Sequence, residues 1–221
     1  MKLQKIDFFA KGMLVIYQDY RMTINPVSGY REDIPCDPLE INSYEDLSKR
    51  VAHHSDVEHL VDDQLRKSEE MESWRKALPR KTPDAIVTYQ KSPNSSDYGD
   101  VTKAINETGA MLPEGQVLFH GGDLHTCITT RPLSTTFCPQ VARQEALFKG
   151  KAKIAGSVNI YKITIVSSNV SGYALKQKGT NHGNEKEVLI GANHELKVGK
   201  MFHEDKLENG LPIRFFEATI G

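Results

Sequence analysis

Gln116-Val-Leu-Phe-His-Gly-Gly122 is a short β-prone run that delivers a histidine and then two glycines at its end. The chain around it has the same texture. Strand-like runs recur at 116–119, 133–137, 160–166, 187–190 and 213–220, and one helix opened by proline, 139–148, sits among them. Ahead of this block the pattern is helical at 84–90 and 101–108, on either side of the polar loop KSPNSSDYGD (91–100). Strands grouped together behind a set of helices predict an α+β fold with a mainly antiparallel sheet.

Further outward, Pro-Arg-Lys-Thr-Pro (79–83) is the best boundary in the chain, dividing an N-terminal region, 1–83, from a second region, 84–221. In the first region, FFAKGMLVIYQ and YRMTI within 7–25 suggest a small hairpin or strand pair, and 26–38 reads as loop. Two helices are predicted next. Ser43-Tyr-Glu-Asp46 opens the first. Ser55-Asp-Val-Glu58 is a capping box for the second, in which hydroxyl and carboxylate each satisfy a free amide donor. Val57, Leu60, Val61 and Leu65, extended by Met71, Trp74 and Leu78, give that second helix one apolar stripe as far as Pro79.

The 221 residues can bury a core without staples. Lys plus Arg (28) and Asp plus Glu (29) nearly cancel, so overall charge argues for neither nucleic acid nor an anionic membrane. Cys36, Cys127 and Cys138 have no metal-ligand spacing and leave one over, which suits a reducing compartment. There is no long apolar run, so the expectation is a soluble, cytoplasmic protein without a membrane partner. His53, His54 and His59 do not share a helix face, and no metal is expected.

Three segments carry candidate chemistry. In the first, glycine lets backbone approach a ligand closely, and His120 offers a hydrogen bond to a sugar hydroxyl. In Arg131-Pro-Leu-Ser-Thr-Thr-Phe137, alternation puts Ser134 and Thr136 on one face. In Asn184-Glu-Lys-Glu-Val-Leu-Ile190, alternation would put Glu185 and Glu187 on one side, with Val188 and Ile190 toward a core. Two adjacent carboxylates repel unless they are solvated or used. Just ahead, 177–184 (QKGTNHGN) is a turn-forming loop suited to touching a partner. Taken singly, the first two segments read better as an ordinary strand end and a Thr-rich strand, and the third reads equally well as a solvated strand edge.

In this order the three resemble the mono-ADP-ribosyltransferase family, in its arginine–serine–glutamate branch. His120-Gly121, Ser134-Thr135-Thr136 and Glu185-Lys186-Glu187 stand where that branch has Arg-Gly, Ser-Thr-Ser and Glu-x-Glu. LSTTFCPQVARQEA is similar to the family's strand-then-helix, EKEVLI to its Glu-x-Glu-Val-Leu run, and Ala85-Ile86, Tyr89, Tyr98-Gly99 and Ile105-Asn106 to its upstream helices. The resemblance spans 84–221. It departs from the pattern at His120, since histidine marks the diphtheria-toxin and poly-ADP-ribose polymerase branch, and in the short separation of His120 from Ser134.

The resemblance implies a mainly antiparallel split sheet with flanking helices, and NAD as substrate. It implies Glu187 as the catalytic carboxylate, with Ser134 holding it and Glu185 orienting or deprotonating the nucleophile. His120, Gly121, Gly122, Thr135, Thr136 and Phe137 would bind the dinucleotide, with Phe137 either stacking on nicotinamide or serving the core. It further implies a macromolecular acceptor, protein or nucleic acid, and a toxin or effector role in a cell's cytosol. Residues 1–83 would then be a cap or a surface for a target or a neutralising antitoxin or immunity partner. The alternatives are a NAD glycohydrolase, an inactive binding module on the same fold, and an RNA 2′-phosphotransferase, which would need a phosphate pocket around Arg131 and Arg143.

Overall fold

The structure, a computed structural model, describes residues 3–10, 14–16, 20–24, 31–35, 39–53, 57–175 and 186–221. The N-terminal part comprises β1 (Leu14–Ile16), β2 (Tyr20–Ile24), β3 (Arg31–Pro35) and β4 (Leu39–Ile41), followed by α1 (Tyr44–His53), α2 (Val57–Lys67) and α3 (Glu69–Ala77). Next come α4 (Asp84–Lys91), α5 (Tyr98–Thr108), β5 (Ala110–Met111), β6 (Val117–Gly121), β7 (Cys127–Ile128), β8 (Leu133–Thr136), α6 (Pro139–Leu147) and α7 (Lys151–Ala155). The remaining elements are β9 (Val158–Ile165), β10 (Ser171–Ala174), β11 (Glu187–Ile190), β12 (Glu195–Lys206) and β13 (Pro212–Ile220).

The first forty residues correct two expectations. Strands form in 7–25, but not as one hairpin: β1 pairs with β4, and β2 pairs with β3. One of those partners was hidden because 31–35, within the segment read as loop, is itself a strand. The long second helix is also two. Ser68 caps α3, its hydroxyl accepting from the Met71 amide at 3.1 Å. The apolar stripe runs through the break because both helices bury the same side. The opening of α1 is as expected, with the Ser43 hydroxyl accepting from the Asp46 amide at 3.1 Å. Ser55 lies outside the described residues, so the capping box does too; Glu58 itself faces Lys186.

The expected α+β fold with a mainly antiparallel, split sheet is what the chain forms. Among the described residues nine strands join in the order β5-β10-β11-β8-β6-β9-β13-β12-β7, and β9–β13 is the one parallel pair. The seam lies between β8 and β6, which share the single pairing Phe119 with Thr136. On either side the ladders are longer, with four pairs between β11 and β8 and five between β6 and β9. A sheet that stays paired on both flanks and parts in its middle leaves a cleft between its halves.

One apolar core runs from Leu3 to Ile220. The N-terminal region is tied into it: the Trp74 ring meets Phe137 edge-on at 5.2 Å, and the buried Gln116 side chain bonds both the amide and the carbonyl of Ile6. α6 lies on β6 at Gly121, where a Cβ would fall 1.7 Å from the Ala142 carbonyl oxygen. No helix among the described residues is long and apolar enough to cross a membrane.

Candidate active site

Where the half-sheets part, each delivers side chains to the gap. β6 ends in His120 and Gly121 on one side, while β8 and the start of β11 bring Ser134 and Glu187 on the other. These four, with Thr135, Thr136, Val141, Ala142, Glu145 and Lys151, line one cleft. Three strands distant in sequence thus converge on the expected motifs.

Glu187 is the most constrained of them. It is 8% exposed, and burying a carboxylate is costly unless donors meet it. The Ser134 hydroxyl donates to Oε1 at 2.6 Å, the short length of a charge-assisted bond. The Gln90 side-chain amide donates to Oε2 at 3.2 Å. Gln90 was not expected here. It sits at the end of α4, which the Tyr89 hydroxyl pins to the Pro132 carbonyl at 3.0 Å. Burial pushes the Tyr89 phenol up to about 12, so it remains a donor at neutral pH. Gln90 Oε1 is buried without a hydrogen-bond partner among the described residues. The sequence held one signal: Gln90 follows the fully buried Ile86 by four residues, a polar side chain on the apolar face of a helix.

His120 spans the seam. Its Nδ1 lies 2.7 Å from the Ser134 carbonyl oxygen. A carbonyl only accepts, so Nδ1 carries the proton, and Nε2 of the neutral ring offers a lone pair. Burial pushes the imidazole down to about 4, against a smaller upward pull from the Ser134 carbonyl; Lys151 and Arg131 add to the lowering. His120 is therefore neutral across the physiological range. The sign for stability follows. Below an unfolded value of 6.5 the unfolded chain takes up a proton that the folded chain refuses, so His120 costs stability as pH falls from 6.5 toward about 4. His120→Ala is expected to narrow the acid loss of thermal stability over that window, measured as melting temperature against pH.

The other expected residues divide between site and frame. Thr135 lines the cleft but donates its hydroxyl to the Val188 carbonyl at 2.6 Å, and Thr136 accepts from the Cys138 amide at 3.1 Å. Gly121 is glycine because α6 crosses it, whatever ligand the cleft holds. Gly122 has φ 133° and donates its amide to the Asn159 carbonyl at 3.0 Å. Of the two roles open to Phe137, its position gives the core: it is 1% exposed against Trp74 and does not line the cleft.

Glu185 lies outside the described residues. β11 begins at Glu187, and the preceding Lys186 is left-handed, with φ 52°. Arg131 is exposed, while Arg143 is turned toward α1, donating to the Val51 carbonyl at 3.0 Å. The two do not form a phosphate pocket. His53 pairs with Asp205 at 2.7 Å, and no group of three or more metal-ligating side chains occurs among the described residues.

No protein-family model and no curated protein matches the chain. Among solved structures it is similar to Plx2a, an ADP-ribosyltransferase toxin from Paenibacillus larvae, at 12% identity over 74% of this chain and 96% of that one, with a TM-score of 0.46. It is similar to an ADP-ribosyltransferase from Clostridium botulinum at 15% identity, over 67% and 91%, with a TM-score of 0.43. For the C3 exoenzyme of Clostridium limosum the identity is again 15%, over 73% and 94%, and the TM-score 0.42.

Proposed function

We propose that the chain is a mono-ADP-ribosyltransferase that cleaves NAD at the nicotinamide–ribose bond and passes ADP-ribose to a macromolecule. The observation that carries this reading is the Ser134–Glu187 hydrogen bond of 2.6 Å in a cleft faced by His120. The cleft has a volume of about 100 Å³, below the roughly 300–1,000 Å³ of a pocket that engulfs its ligand. A dinucleotide would have its reacting end enclosed and the remainder along the open seam.

The chemistry suits this donor set. Nicotinamide in NAD is a pyridinium. When the C1′–N bond breaks, the ring leaves with the electron pair as a neutral molecule and needs no proton. The site therefore needs no general acid, unlike a glycosidase, and a histidine that stays unprotonated is no handicap. Positive charge develops on the ribose, and Glu187 stabilises it where it is greatest. Ser134 and Gln90 hold that carboxylate. His120 Nε2 accepts from a ribose hydroxyl, Gly121 and Gly122 offer backbone to the carboxamide, and Thr135 and Thr136 shape the wall. The acceptor then attacks C1′ and gives up its proton, on this reading to Glu185.

Residues 1–83 form a cap or partner surface over the 84–221 catalytic region, and a toxin or effector with a neutralising partner is the role that fits. Incubation with adenine-labelled NAD and a cell lysate, followed by protease or nuclease, tests the activity and the acceptor class. Label that enters no macromolecule while nicotinamide is released would make the protein a glycohydrolase.

Glu185→Gln separates the two steps. General-base help is worth roughly 10²–10⁴-fold, and only for the acceptor the base reaches. The variant is expected to lose label transfer while keeping most of its slow NAD hydrolysis, measured side by side. Equal loss of both would give the two carboxylates one shared role.

A further inference from the structure

Lys186 stands between the two glutamates of its motif, where an exposed lysine would be expected. Instead its side chain is 4% exposed, with Nζ 3.2 Å from Asp62 Oδ1 and 3.3 Å from Glu58 Oε1. Both acids project from α2, one turn apart. Glu58 is itself steadied from α6, its Oε2 accepting from the Gln144 side chain at 3.2 Å. The backbone of Lys186 is left-handed, φ 52°, and its carbonyl accepts from the Phe137 amide at 3.3 Å. A residue with a Cβ persists in that conformation only where its surroundings over-determine it. Here both ends are fixed, the ammonium by α2 and the carbonyl by the end of β8. The next residue is Glu187, the first of β11.

We propose that α2 positions Glu187 through this clamp: Glu58 and Asp62 grip Lys186, and the grip sets the backbone from which the Glu187 carboxylate enters the cleft. Lys186 is a positioning residue and touches no substrate. The inference rests on Glu187 being the catalytic carboxylate, and it gives residues 57–67 a part in that site.

The clamp is asymmetric in a way that chooses the variant. Lys186 is sealed, whereas the side chains of Glu58 and Asp62 are 31% and 27% exposed. Removing either acid takes an ion-pair partner from a 4% exposed cation, whereas removing the lysine leaves two carboxylates that water reaches. Lys186→Met is therefore the variant that folds, and Lys186→Arg restores the charge. A misplacement of about 1 Å costs ~10²-fold. Lys186→Met is expected to lower turnover in nicotinamide release by ~10–100-fold with the Michaelis constant for NAD unchanged, and Lys186→Arg to recover most of it.

Amide exchange supplies a second readout that needs no activity. In Lys186→Met, exchange at Phe137 should accelerate about tenfold, the fold-change of ~1.4 kcal/mol in local opening, while β9 exchanges as in the parent. Parental turnover together with parental Phe137 exchange overturns the clamp, and loss of activity in Glu187→Gln would still uphold the catalytic reading. A rise in exchange shared equally by β9, or a raised Michaelis constant, reduces Lys186 to a general structural role and also overturns it. If the parent releases no nicotinamide, the catalytic reading fails, and Phe137 exchange alone decides whether α2 sets this backbone.

Discussion

Glu187→Gln is expected to lower nicotinamide release from NAD by at least about 10²–10³-fold, the loss that follows when a preorganised group facing transition-state charge is removed. The fold is expected to survive. Glutamine has the same shape: its oxygen can accept from the Ser134 hydroxyl, now 2.6 Å from the carboxylate, and its NH2 can donate to Gln90 once that amide flips to present its unpartnered Oε1. Taking a charge out of an 8% exposed position relieves desolvation and creates no cavity. The melting temperature should stay close to the parent's while turnover collapses. A variant that melts normally and still releases nicotinamide at the parental rate would remove Glu187 from the chemistry.

Gly121→Ala should do the reverse, damaging the frame first. A Cβ at Gly121 would lie 1.7 Å from the oxygen of Ala142, 2.7 Å from its carbon and 2.9 Å from the Ala146 nitrogen. All three are backbone atoms of α6 and cannot rotate away, so the helix must lift off β6. Overpacking of this kind costs on the order of 1–3 kcal/mol or more, roughly 2–12 °C in a chain of this size. Because α6 carries Val141, Ala142 and Glu145 into the cleft, NAD cleavage should fail with the packing. Gly122→Ala is the contrast. There the nearest atom is His120 Nε2 at 3.5 Å, and the difficulty is φ 133° rather than space. Thermal unfolding of the two variants checks the distinction; an unchanged melting temperature in Gly121→Ala would mean that α6 does not hold its place on β6.

How much of this was legible in the sequence depended on distance along the chain. The motif strands 133–137 and 187–190 showed themselves because alternation and β-branched residues are local signals, and the structure keeps both nearly in place as β8 and β11. Partners are not local. The strands within 7–25 were visible, but their pairing with 31–35 and 39–41 was not, and the loop reading of 26–38 hid one of those partners. β12, the longest strand, was missed because its register slips between Val198 and Met201 and again before His203, which scrambles the alternation, and because Leu196 is its one buried residue.

The site divides in the same way. Ser134 and Glu187 followed from motif order, whereas Gln90 reaches Glu187 across 97 residues and announces itself only as a polar residue on a buried face. Glu185 and Glu187 were placed on one side by assuming that the strand began before them. β11 begins only at Glu187, after the left-handed Lys186, whose ammonium meets Asp62 from more than a hundred residues away.

The central chemical claim is that the cleft at the seam breaks the nicotinamide–ribose bond. The most direct measurement is chromatographic: purified, folded protein incubated with NAD, with nicotinamide and the ADP-ribose product quantified over time. One nicotinamide is expected for each NAD lost, without added metal, at a rate that rises when an acceptor-containing lysate is present. NAD left intact by folded protein, with and without the lysate, would contradict it.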